Sequence, residues 1–154
     1  MSRTLLFKQS QKTTNAQFSK AQLLPIPRAV ASELALQAHL SLQALRAGAT
    51  EIEPAQRVTE AMLLARFLSE AGHGDFSADA LASADRVMAA VFDGGRASGV
   101  WTLPADEFEN FAAIVSLYDY QLRRASLGAL TVASERLDRF KAGEPCQVAH
   151  RRRA

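Results

Sequence analysis

Three histidines and one cysteine are the residues of this 154-residue chain best suited to chemistry. His39 lies in a run of alanine and leucine, His73 between two glycines, and His150 beside Cys146 near the C-terminal end. Their spacing matches no metal-binding pattern, such as two histidines four residues apart on a helix. Cys146 has no second cysteine for a disulfide or a zinc site. His39 could work as a base or ligand only with a carboxylate or a second imidazole beside it. Otherwise it is a partly exposed residue bonding Gln43 or a neighbouring helix. The carboxylates group as Glu51 with Glu53, and as Asp106, Glu107 and Glu109. Each group opens a predicted helix, where the helix dipole favours negative charge. A catalytic pair would need two environments that split the pKa values, and nothing in the spacing supplies them. "FDGGRASG", Phe92 to Gly99, is glycine-rich, but it neither follows a strand nor matches a phosphate-binding pattern. It is expected to be a loop that ends a helix. No catalytic residue, cofactor or metal site is therefore assigned, and the chain reads as a non-enzymatic protein.

Charge is more informative than any motif. The net charge of +2 conceals an uneven layout. Met1 to Arg28 carries Arg3, Lys8, Lys12, Lys20 and Arg28 and no acidic residue, and the C-terminal end adds Arg151, Arg152 and Arg153. All 16 acidic residues lie between these ends, against ten basic ones, a net −6. Basic arms of this kind can neutralise phosphates and release counterions, which makes them candidates for nucleic-acid contact, DNA or RNA. They can equally be solubilising tails.

The elements that must position these residues are helical. Residues 1–22 are polar, lack periodicity and are expected to form a flexible basic arm. A helical domain is expected over 23–144 and a short basic tail over 145–154. The spacing of apolar residues predicts helices from Arg28 to Ala47, from Pro54 to about Ala71, from after Ser77 to Gly94-Gly95, from Pro104 through Leu122, and from Leu127 to Lys141. The last should turn Leu130, Ala133, Leu137 and Phe140 inward. Only "GVWTL" leans towards strand. The fold class is thus all-α, a single domain of about five helices forming a bundle. No apolar run is long enough for a membrane span and the first residues lack a secretory h-region, so a cytoplasmic protein is expected.

In the first helix, Val30, Ala31, Leu34, Ala35, Ala38, Leu42 and Leu45 form one apolar arc, and Leu36, Leu40 and Ala44 a second. His39 falls on the polar strip between them. Two arcs imply contact on two sides, as in the central helix of a bundle or at a homodimer interface. Leu36, His39 and Leu40 are therefore partner-binding candidates. Tyr120 and Arg124 join them, because Tyr and Arg are enriched at binding hot spots. Asp119 and Arg123 are spaced as a favourable helix pair. A helix-turn-helix over the last two helices would offer Ser134, Arg136 and Arg139 as base readers.

"LLPIPRAVASELALQAHLSLQALRAG" resembles a family of small helical proteins from proteobacterial plasmids, integrative elements and prophages, some labelled Fis-type transcriptional regulators. The shared features are Leu24-Pro25, then Leu36 with His39, Leu40 and Leu42, then Arg46 with Gly48; "RVTEAMLLARFL" and "RLDRFKAGE" also fit. The resemblance implies a mobile-element accessory protein. The leading expectation is a regulatory protein associated with nucleic acid through its basic arms. The alternative is a protein–protein interaction module, an adaptor or an inhibitor of a host defence system, whose acidic helical face binds a host protein.

Overall fold

Pro25 and Pro27 keep the chain extended up to the first helix, and Gly48, at φ 89°, ends it. Between them runs α1, Arg28–Ala47. The computed structural model describes residues 20–143. Beyond α1 they form α2 (Glu53–Glu70), α3 (Ala78–Ser98), a 3-10 turn (Ala105–Glu107), α4 (Phe108–Arg124) and α5 (Leu127–Lys141). Residues 20–23 add a short helical turn before Pro25. The fold is all-α, with no strand among the described residues. The β-leaning segment pairs only at an isolated bridge, Ala49 with Trp101.

Local chemistry sets the helix starts. The Ser77 hydroxyl accepts from the Ala80 N–H at 3.1 Å, and the Ser126 hydroxyl accepts from the Ala129 N–H at the same distance. Both satisfy backbone donors that a helix start leaves unpaired.

The central helix is α2. It packs on α1, α3, α4 and α5 and buries Ala55, Val58, Met62, Phe67 and Leu68 among others. Helices α2 and α4 both pack on α1, and within this chain they leave its second arc uncovered. On α1 the covered face is narrow and small: Ala31, Ala35 and Ala38, with Leu42 and Leu45 below them. Val30 and Leu34, expected on the buried arc, are exposed, and so are Leu36 and Leu40 on the second arc.

Two further expectations are corrected. Helix α3 does not stop at Gly94-Gly95; it continues to Ser98 and is closed by Gly99 in the left-handed conformation. The reason is tertiary. A Cβ on Gly95 would lie 2.1 Å from Trp101 Nε1, so glycine is needed for the indole to seat on the helix rather than to break it. Phe140 is not inward. Helix α5 packs chiefly on α2, one neighbour covers one narrow stripe, and only Ala133 and Leu137 are fully buried.

Candidate functional site

Helices α1 and α4 lie side by side, and their seam gathers the titratable residues of greatest interest. His39 Nε2 is 3.6 Å from Asp119 Oδ2, while Asp119 Oδ1 accepts from Arg123 Nε at 2.7 Å. The neighbouring helix, not Gln43, is therefore what His39 faces. The Asp119–Arg123 pair forms as its spacing predicted. Asp119 accepts a hydrogen bond from the arginine, while the imidazole lies near it without one. Beside the seam, Leu36 is 55% and Leu40 59% exposed, and Arg124 stacks over the exposed Tyr120 ring at 4.4 Å. The seam thus brings His39 of α1 to α4, while Leu36 and Leu40 remain on α1 and Tyr120 with Arg124 on α4. Among the described residues no three His, Cys, Asp or Glu side chains group as a metal site.

Of the basic-end candidates, Lys20 and Arg28 are described and exposed. Arg3, Lys8, Lys12, Arg151, Arg152 and Arg153 lie outside the described residues, as do Cys146 and His150. The chain enters the body at the start of α5: Leu127 N–H donates to the Leu24 carbonyl at 2.8 Å, and Pro25 bridges Ser126. It leaves at the end of the same helix. Fifteen residues of α-helix separate the two points by about 22 Å.

Arg136 cannot serve as the base reader proposed for it without leaving its partners. Its guanidinium donates to Glu70 Oε2 at 2.7 Å and lies over the Phe67 ring at 4.1 Å. Burial alone would raise the Glu70 pKa. Hydrogen bonds from Arg136 and Arg66, with their positive charge, outweigh it and hold the carboxyl below its ordinary value. This cluster fastens α5 to α2. On α4, burial and then the nearby Glu60 charge push the Tyr118 phenol up to about 12, which makes it a neutral core residue.

Two features were not found from the sequence. The first is a cleft of about 480 Å³ between α3 and α4, two helices that do not closely approach each other. Phe76, Ala80, Ala84, Phe111, Ile114 and Leu117 supply its apolar walls, and Asp75 and Glu107 stand on its rim. No cation lines it. Neither rim carboxylate is ion-paired among the described residues. Residues 75–109 carry seven carboxylates against Arg86 and Arg96, a net −5. The second is Gln121, fully buried on α4. Its amide donates to the Ala65 carbonyl at 3.0 Å and the His73 carbonyl at 2.7 Å. It thereby ties the loop at the cleft's end to α2 and α4. The available signal was a glutamine three residues after Tyr118, on the apolar stripe itself.

No protein-family model, no curated protein and no solved structure matches the chain.

Proposed function

We propose that this is a non-enzymatic, cytoplasmic, mobile-element accessory protein that associates with nucleic acid, DNA or RNA, in a regulatory role through its basic ends. The observation that carries the reading is the charge layout: +5 over Met1–Arg28 and +3 over Arg151–Arg153 around a net −6 body. The geometry supports it, because the two ends join the body about 22 Å apart along α5. That spacing would let them meet phosphates at separate places. Each phosphate neutralised contributes about −0.9 to the slope of log K against log salt on duplex DNA. If all eight basic residues engage, the slope approaches −7, and affinity falls about 10⁴-fold between 50 and 200 mM salt. Removing Arg151–Arg153 should flatten the slope by nearly 3. Fluorescence anisotropy of a labelled duplex and of a single strand, each titrated at several salt concentrations, reads both values. A salt slope untouched by removing either end would sink the arm-based mechanism.

The body supports a second reading, a protein-interaction module for a host protein. The acid-rimmed cleft favours it, because an apolar groove with carboxylates suits a basic, amphipathic segment. A homodimer belongs to the proposal too, since Leu36 and Leu40 lie one turn apart and exposed on α1. Light scattering at micromolar concentration should give twice the chain mass for the wild type and the chain mass for Leu36→Ser/Leu40→Ser. A wild-type monomer would remove the dimer.

A further inference from the structure

We propose that the chain's own N-terminal segment, Arg3 to Lys8, docks in the cleft between α3 and α4. Charge and polarity match in order. The cleft has apolar walls between two carboxylates, Asp75 at one end and Glu107 at the other. The segment reads Arg3-Thr4-Leu5-Leu6-Phe7-Lys8, three consecutive apolar residues between two cations, within a stretch that has no acidic residue before Glu33.

The lengths agree as well. From Leu117, at the Asp75 end, to Glu107 is ten residues of chain ending in α4, about 15 Å of rise. Arg3 to Lys8 spans about 17 Å when extended. The point of attachment is on the correct side. Gln22 packs on Gly128, and Leu24 is bonded to Leu127, so the chain enters beside the C-terminal end of α4. The loop carrying Gly74 and Asp75 contacts Leu117, ten residues before Leu127. The twelve residues from Lys8 to Lys20 reach up to about 40 Å, ample for that distance. Docking places Lys8 against Asp75, Leu5 to Phe7 against Phe76, Phe111, Ile114 and Leu117, and Arg3 towards Glu107. It holds part of the basic arm on the acidic side of the body until a competing polyanion draws it away.

Zero-length carbodiimide cross-linking of the full chain tests this, with peptide mass spectrometry on an equal mixture of unlabelled and ¹⁵N-labelled protein. The expected product joins the Lys8 amine to Asp75 within one chain. The Lys141–Glu60 ion pair gives an internal reference link. Leu5→Ser/Leu6→Ser/Phe7→Ser keeps every charge and alters none of the described residues; it should cut the Lys8–Asp75 yield at least tenfold and leave the reference unchanged. Ala80→Arg, which sets a cation on the exposed cleft wall, should do the same. Mixed labelled–unlabelled links making up about half of the Lys8–Asp75 product, as linking purely between chains requires, would overturn the proposal in favour of a second copy's arm. Lys8 links spread evenly over the surface carboxylates, or a yield indifferent to the triple substitution, would overturn docking altogether. The readout needs no nucleic acid, so its failure is distinct from failure of the salt-slope experiment.

Discussion

Gly95→Ala is expected to lower stability by about 2 kcal/mol or more, while Gly94→Ala, one residue earlier, raises it by about 0.5–1 kcal/mol. Both glycines sit inside α3 with ordinary helical backbone, so helix propensity alone would favour alanine at each. Their surroundings differ. A Cβ on Gly94 meets nothing within 4 Å, whereas one on Gly95 would sit 2.1–2.3 Å from three atoms of the Trp101 indole. The indole cannot easily yield. The Trp101 backbone N–H donates to the Ala49 carbonyl and the Trp101 backbone carbonyl accepts from the Ala49 N–H, both at 2.8 Å. Leu103 N–H donates to Leu45 in the last turn of α1 at 2.9 Å. Moving Trp101 therefore disturbs the junction between the end of α1 and the α3–α4 connection.

For a body of this size, about 2 kcal/mol corresponds to a fall in Tm of roughly 6–10 °C. Thermal unfolding followed by circular dichroism resolves that easily. The mechanism has its own control. In a Trp101→Ala background, already destabilised by loss of a packed aromatic side chain, Gly95→Ala should become neutral or stabilising. Equal effects of alanine at positions 94 and 95 would show that the indole does not set the requirement for glycine.

The same pair of glycines marks how far the sequence could be read. Helix ends announced by local chemistry were legible: Pro27 and Gly48 around α1 and Ser77 before α3. A glycine needed because a tryptophan six residues later lies on it looks the same in sequence as one that stops a helix. Burial on α1 failed for a related reason. Periodicity finds apolar arcs but not which arc, or how much of it, a neighbour covers. Ala31, Ala35 and Ala38 are covered, while Val30 and Leu34 on the same arc are exposed. At the candidate site, the Asp119–Arg123 pair was legible because it is local, while the approach of His39 to Asp119 spans two helices distant in sequence. The cleft was not legible at all. It arises because α3 packs on α2 without closing on α4, a relation no single helix records.

Gln121→Glu, a change of one atom type, is expected to cost about 3 kcal/mol or more at neutral pH. The wild-type amide donates to two carbonyl oxygens, of Ala65 and His73, from a fully buried position. A carboxylate there would offer no donor, face those same oxygens, and carry its charge out of water. The protonated acid restores one donor, so the penalty must depend on pH. Burial and the facing carbonyls raise the folded-state pKa above the unfolded value of about 4.3. The variant is therefore most stable, relative to the wild type, below that unfolded value. It loses stability as the pH rises from there to its folded-state pKa, and changes no further above it. Gln121→Leu conserves much of the volume but removes both donors at every pH; about 1–3 kcal/mol is expected, independent of pH. Urea unfolding of the three proteins at pH 4 and pH 7 separates the cases. A Gln121→Glu variant as stable as the wild type at pH 7, or one whose deficit is the same at both pH values, would mean that the amide is not the tie between the loop and the helices. If the tie is real, its loss loosens the loop bearing Asp75 and Phe76 first. Both substitutions should then widen the cleft and weaken whatever lies in it before they unfold the body.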